Sequence, residues 1–201
     1  MITKIQLENG CIDVPAGKIA SVVTYLEMRE RLAMTKDLSP MDCELKRVIT
    51  PDTEWYKTLF RRIGESYLWY GRLILQEEKL KHLICHPSME IYTVQYKGQD
   101  EGLLELDFRK TAECELTYFG LTDVLLGKGI GRRVMNRAIE IAWEHPIHRF
   151  WLHTCTDDHP AAVSFYVRSG FRPFKRQIEI ADDPRLIGVL PRDVAPQIPI
   201  I

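Results

Sequence analysis

No stretch of this chain is apolar for the roughly 18 residues that a membrane-spanning helix requires. Its opening, Met1-Ile2-Thr3-Lys4, lacks the apolar centre of a secretory signal. Paired cysteines are missing too. Cys11, Cys43, Cys85, Cys114 and Cys155 are odd in number, widely scattered, and form no Cys-x-x-Cys. That speaks against a zinc site or a disulfide framework and fits a reducing cytoplasm. Charge of one sign is absent. The formal net charge is -1, whereas a general nucleic-acid binder is expected to be basic. There is no internal repeat and no low-complexity tract. What remains is a composition 45% hydrophobic over 201 residues, enough for one good core. These absences predict a protein with no membrane, nucleic-acid or metal partner.

Glycine is placed unevenly. Leu125-Leu126-Gly127-Lys128-Gly129-Ile130-Gly131-Arg132-Arg133 alternates three glycines over five residues. A strand-like run, 113–121, precedes it. A helix-like run, 132–143, follows, with Val134, Ala138, Ile141 and Ala142 on one face. Strand, glycine turn and helix put bare backbone N–H groups at a helix start, where they and the dipole favour an anion. Lys128, Arg132 and Arg133 add positive charge there. The stretch is no P-loop, because Gly129 stands where Ser or Thr is required, and Thr122 where the first glycine should be. It is no dinucleotide fingerprint either, because its third glycine comes one residue early. A phosphorylated cofactor site and a ligand-free glycine hairpin both remain open on this evidence.

The rest of the chain supplies the setting. A weak alternation over 2–7 and the β-branched run 19–26 read as strands, and 37–41, around Pro40, as loop. Thr50-Pro51-Asp52 reads as a helix start, with Trp55, Leu59 and Ile63 on one face. An aromatic connector, 64–71, leads to a second helix, 75–85. Three strands follow at 90–96, 102–109 and 113–121. In the second, Leu104, Leu106 and Phe108 alternate with Glu105, Asp107 and Arg109. After the glycine helix come a strand at 149–156, a helix at 160–169 closed by Gly170, and a strand at 171–180 interrupted by Pro173. The organisation expected is one domain over 1–181 and a tail over 182–201. Four prolines, at 184, 191, 196 and 199, make that tail read as extended. Its end, Ile198-Pro199-Ile200-Ile201, has two places to dock: a partner subunit, giving a homodimer, or its own domain.

In that order of elements, Leu126-Gly127-Lys128-Gly129-Ile130-Gly131 resembles the Gln/Arg-x-x-Gly-x-Gly/Ala loop of the GNAT-superfamily N-acetyltransferases, with Leu126 in place of Gln or Arg. The run His159-Pro160-Ala161-Ala162-Val163-Ser164-Phe165-Tyr166-Val167-Arg168-Ser169-Gly170-Phe171 is similar to that family's Asn-x-x-Ala-x-x-Phe-Tyr-x-x-x-Gly-Phe, with His159 in place of Asn. The resemblance covers about residues 12–180 and implies an α/β fold: a mixed, mostly antiparallel sheet with helices on both faces. It implies acetyl-CoA as co-substrate and transfer of its acetyl group to a primary amine, by direct attack in a ternary complex. It also implies contacts to the cofactor from Phe119 and Leu121, from the loop Leu126, Gly127, Lys128, Gly129, Ile130, Gly131 and Arg132, and from His159 and Ala162. Two rival readings are a non-catalytic acyl-CoA-binding module, signalled by Leu126 and His159, and an enzyme using a longer acyl-CoA.

The implied chemistry can be set against residues. An amine of pKa about 10.4 costs roughly 4.6 kcal/mol to deprotonate at pH 7. A carboxylate near it can accept that proton. The family's histone-modifying branch carries this base as a Glu on the strand before the loop, which corresponds here to Glu115, with Glu113 two residues away on the same face. Glu105 and Asp107 share a face of the neighbouring strand. Clustered carboxylates raise one another's pKa and attract a cation. The competing explanation for such a row is the solvated face of an antiparallel sheet. Tyr166 matches the family's general acid, which assists departure of the CoA thiolate. His153, Cys155 and His159 could suggest a metal or a thiol nucleophile, but strand-end packing explains them more simply. Trp69 and Tyr70 are candidates for the acceptor pocket, against plain core packing. The acceptor expected is a small molecule or a peptide amine.

Overall fold

A computed structural model describes residues 9–31 and 43–201. The expected strand at 2–7 and loop at 37–41 lie outside the described residues. The first strand, β1 (Lys18–Met28), precedes β2 (Cys43–Val48), α1 (Thr53–Gly64) and α2 (Glu77–Ile84). Then come β3 (Met89–Tyr96), β4 (Gln99–Asp107) and β5 (Glu113–Leu121). The chain ends with α3 (Ile130–Glu144), β6 (Arg149–Thr154), α4 (Ala162–Arg168) and β7 (Arg172–Asp182). The strands form one sheet in the order β2-β3-β4-β5-β6-β1-β7. Among the described residues, only the β5–β6 pair is parallel. The mixed, mostly antiparallel α/β sheet expected from the sequence is the one present.

Local chemistry explains the boundaries. Asp52 caps α1 by accepting from the backbone N–H of Glu54 and Trp55 at 3.0 and 2.9 Å. Pro51 therefore stands just ahead of the helix rather than in its first turn. Tyr56, Leu59, Phe60 and Ile63 form its buried stripe. α3 stops where His145 turns extended (φ -88°, ψ 155°), the conformation favoured before Pro146. In β7, Phe174 is the extra residue of a bulge beside Pro173, and as an outermost strand β7 tolerates the proline. The strand at 43–48 was not expected. Its inward positions, Cys43 and Leu45, alternate with Glu44 and Lys46, and Arg47 is exposed as well, a pattern suited to a charged outer strand but weak as a signal.

Two cores sandwich the sheet. α3 and α4 cover one face, packing Met135, Ala138, Ile139 and Tyr166 on Leu26, Leu104, Leu106, Phe150 and Leu152. α1 and α2 cover part of the other, packing Tyr56, Phe60, Ile63 and Leu80 on Ile91 and Leu103. β4 lies between them, so it is buried on both faces from Glu101 to Asp107. The alternating acids therefore do not mark a wet face. Glu105 is fully buried, accepts from the Tyr56 hydroxyl, and pairs with Arg72 at 2.8 Å.

Residues 183–201 turn back on the domain rather than extending away. Arg185, only 3% exposed, binds Asp183 and donates from Nη1 to the carbonyls of Val194, Ala195 and Ile198 at 3.2, 3.2 and 2.8 Å. Leu190 and Ala195 pack with Ile19 of β1 and Leu68 of the aromatic connector. The Gly17 N–H donates to the Ile201 carbonyl at 2.9 Å. Ile198 of the tail packs against the same group.

Candidate active site

The parallel pairing of β5 with β6 runs from Glu113↔Arg149 to Leu116↔Leu152 and stops there. Beyond it the strands separate. A bulge at Thr117 interrupts the β4–β5 register at the same place, between Leu116 and Tyr118. The β6-facing edge of β5 is thus without a strand partner from Thr117 to Leu121, among the described residues. Thr117 Oγ1 is buried there with no hydrogen-bond partner. Backbone groups on such an edge can bond an extended ligand. A cleft of about 840 Å³ occupies the gap.

One end of the cleft is the glycine loop. Gly127 and Gly129 adopt φ of 72° and 73°, the left-handed region that glycine enters without strain. Nothing lies within 4 Å of where a Cβ would stand on either. Gly129 is the N-cap of α3, and no side chain caps that helix. The first N–H groups of α3 are therefore left for a ligand, with the positive end of the dipole behind them. This cradle fits a pyrophosphate. Gly127, Gly129, Gly131, Leu126, Phe119 and Leu121 all line the cleft, as do Ala162 and His159. The Phe119 ring stacks on Phe165 with centroids 6.0 Å apart.

Four expected cofactor residues have other employment. Ile130 is buried beside Leu125 and Val134, so only its backbone serves the loop. The Lys128 ammonium stands 5.1 Å over the Tyr96 ring, off the lining. Arg132 lines the cleft, but its Nη1 donates to the Arg168 carbonyl at 2.7 Å, tying α3 to α4. At His159, Nδ1 accepts from the Ala161 N–H at 3.1 Å, so this side chain shapes the turn before α4.

Tyr166 is nearly buried and lines the cleft. Its hydroxyl has no hydrogen-bond partner among the described residues. Burial, aided by the negative charge of Asp158, pushes its pKa well up, so it stays protonated throughout the neutral range. Glu115 is not part of the lining. Its Oε1 lies 3.4 Å from Nδ1 of His153, which is. Glu113 is held by Lys110 at 2.8 Å and Arg149 at 3.3 Å. Burial pushes its carboxyl up, but those two cations outweigh it and hold it below the usual range.

The other end of the cleft is aromatic and acidic. Tyr67, Trp69 and Tyr70 from the connector line the cleft together with Asp157 and Glu179, and the charges of Glu179 and Asp157 act on Tyr70. Burial raises the Asp157 carboxyl, against the opposing hydrogen bond from Ser21. Asp158 is fully engaged by Trp69 Nε1 at 2.8 Å, Thr154 Oγ1 at 2.7 Å and the Cys155 N–H at 2.9 Å. Cys155 is no thiolate nucleophile, since burial first and then Asp158 push its thiol up to about 12. Among the described residues no group of three or more His, Cys, Asp or Glu side chains could hold a metal. No helix among them is long and apolar enough to cross a membrane. No motif points to Asp157 or Glu179; β1 links them through Ser21, which pairs with Glu179 across the β1–β7 ladder and donates its hydroxyl to Asp157.

A splayed parallel strand pair with a side-chain-free helix N-terminus at its mouth is the architecture of an acyl-CoA-dependent acyltransferase. The chain belongs to the acetyltransferase (GNAT) family, whose model matches residues 54–171, more than half of its length. No curated protein matches it in sequence. Among solved structures it is similar to a putative GNAT acetyltransferase from Novosphingobium aromaticivorans, with a TM-score of 0.58, 12% identity, and coverage of 83% of this chain and 67% of that one. A GCN5-related N-acetyltransferase from Sphaerobacter thermophilus aligns with a TM-score of 0.59 at 10% identity, over 81% of this chain but only 52% of its own. An aminoglycoside acetyltransferase from an uncultured soil metagenomic sample gives 0.52 at 14% identity, over 63% of this chain and 86% of that one. At these identities the likeness is one of fold.

Proposed function

We propose that the protein transfers the acetyl group of acetyl-CoA to a primary amine, by direct attack with both substrates bound. One observation carries this reading. A single cleft joins the anion cradle of the glycine loop to an acidic, aromatic end, and passes the unpaired edge of β5 on the way. The cradle suits a pyrophosphate, the strand edge an extended amide-bearing arm, and the far end a cation. Asp157 and Glu179 would draw in an ammonium, and the ring faces of Tyr67, Trp69 and Tyr70 favour cations as well. The amine acceptor of the aminoglycoside acetyltransferase is in keeping with this end of the cleft.

In this scheme the loop and the N-terminus of α3 hold the phosphates, while Phe119, Leu121, Leu126 and Ala162 enclose the arm. The acetyl-CoA thioester supplies the acyl group. Tyr166 donates a hydrogen bond to the departing sulfur, and Glu115 stands on the side that removes the amine proton. The test is a panel of amines incubated with acetyl-CoA and read by release of free CoA thiol. Thiol release that depends on both the protein and the amine is expected. Binding of acetyl-CoA without release under any amine would instead make the chain an acyl-CoA-binding module. Release only with a longer acyl-CoA would change the donor.

A further inference from the structure

We propose that His153 is the group that receives the amine proton, and that Glu115 acts through it as a positioning residue. The assignment rests on the acetyl-transfer reading above. The imidazole lines the cleft, whereas the Glu115 carboxylate does not. Glu115 Oε1 stands 3.4 Å from His153 Nδ1. With the Nδ1 proton directed at that carboxylate, Nε2 carries the lone pair, and among the described residues it has no partner. A carboxylate behind an imidazole fixes the tautomer and stabilises the imidazolium once it forms.

The other acids are less free. Glu113 is ion-paired to Lys110 and Arg149. Asp158 already accepts from Trp69, Thr154 and Cys155. Asp157 Oδ2 receives the Ser21 hydroxyl, leaving one oxygen, and this makes it the rival. Its place beside Tyr70 and Glu179 suits holding the ammonium before attack.

The surroundings of His153 set its titration. Glu115 approaches from β5, Glu179 from β7 and Asp158 from the loop after β6. From β1 the Tyr25 ring lies 5.6 Å away, with the Lys175 ammonium 4.5 Å over its centre. The Glu115 contact raises the imidazole pKa, burial opposes it, and the net shift is upward. Neutral imidazole, the form that can take a proton, therefore predominates only above that raised value.

The step balances as follows. The amine nitrogen bonds to the thioester carbonyl carbon, and the carbon–sulfur bond breaks. The nitrogen's proton passes to His153 Nε2, and the sulfur takes the Tyr166 hydroxyl proton. Water then carries the imidazolium proton back to the phenolate. For the neutral amine the sum is amide plus free CoA thiol with no net change in protons; an acceptor that arrives as the ammonium first gives one further proton to bulk water.

The experiment is the pH profile of kcat/KM for the wild type and the His153→Gln, Glu115→Gln and Asp157→Asn variants. It uses an amine acceptor that the wild type acetylates, with acetyl-CoA affinity measured in parallel. The wild type should show an acid limb with a midpoint above about 6.5, the ordinary imidazole value. His153→Gln should lose about 10²–10⁴-fold in kcat and lose the limb, with acetyl-CoA affinity unchanged. Glu115→Gln should keep the limb, moved to lower pH, with a smaller loss of rate. An NMR titration of the His153 ring should show the same downward shift without any turnover. Asp157→Asn should raise the amine KM and keep the limb. A limb abolished by Glu115→Gln but kept in His153→Gln would make Glu115 the direct base. A limb lost only in Asp157→Asn would move the role there. Either result overturns the assignment while leaving acetyl transfer intact. A wild type that acetylates no amine would overturn acetyl transfer and this assignment together.

Discussion

Gly131→Asp separates ligand binding at the loop from the stability of the fold. Gly131 is the second residue of α3, and its φ is not positive. A Cβ there would meet Leu121 Cδ1 at 3.7 Å and Phe165 Cε2 at 3.9 Å, ordinary contact distances. A carboxylate in the first turn also complements the helix dipole, by about 0.3–1 kcal/mol. The variant should therefore fold at least as well as the wild type. Its charge, however, sits at the cradle. Two like charges about 5 Å apart at an effective dielectric of about 20 repel by roughly 3 kcal/mol, which weakens binding about 200-fold. Acetyl-CoA at about 100 times the wild-type dissociation constant stabilises the fold by roughly 2.7 kcal/mol. For a domain of about 150–250 residues that raises Tm by roughly 5–10 °C. After a 200-fold loss the same concentration adds only about 0.2 kcal/mol, a rise of roughly 1 °C or less. Differential scanning fluorimetry reads both numbers. Gly131→Asn, equal in shape and uncharged, should keep most of the rise, and added salt should narrow the gap between the two variants. A wild-type rise in the aspartate variant would refute the phosphate cradle. An equal loss in both variants would refute the electrostatic part of the argument. Gly129 is less suitable for this test, because its φ of 73° strains any side chain.

Tyr166→Phe removes one hydroxyl and little else, so kcat should fall about 10²-fold, near the low end for a proton-donating group, with acetyl-CoA affinity unchanged. An unchanged kcat with weakened acetyl-CoA binding would make the hydroxyl a binding contact. Arg72→Met strands the fully buried Glu105 carboxylate and should cost about 3–5 kcal/mol in urea unfolding. Lys18→Ala, which opens an exposed pair with Asp182, should change stability by about 1 kcal/mol or less. Equal losses for those two variants would contradict the weight given to burial.

The glycine loop was legible because its chemistry is local. Three glycines, a strand before and a helix after fix a helix N-terminus without reference to distant parts of the chain. The run from His159 to Phe171 was legible for the same reason, and its Tyr166 lies in the lining of the cleft. The acidic alternation on β4 misled because period two shows that side chains alternate, not what covers each face. Here α1 covers the acidic side, and Glu105 finds its cation in Arg72, just past the connector and far off in sequence. His153 was set aside for a related reason. Its value depends on Glu115 of the neighbouring strand and on where β5 and β6 part, and neither is written in the residues around it. The tail's four prolines suggested an extended segment, yet one guanidinium, that of Arg185, gathers it into a fold.

The place of β1 bears on the order in which the chain can assemble. Thr24 pairs with Thr154 on one side and Arg176 on the other, so β1 has no strand to join until β6 has been made. At about 5–20 residues per second, synthesis leaves that strand waiting on the order of ten seconds. In that interval β2 to β5 and α3 can already come together through neighbours in sequence, and with them the glycine loop. Ile19, Ser21 and Val23, which line the other side of the cleft, arrive only when the earliest strand closes against the latest ones. The glycine-loop end of the cleft can thus take shape before β6 and β7 are made, and the side lined by β1 only after them.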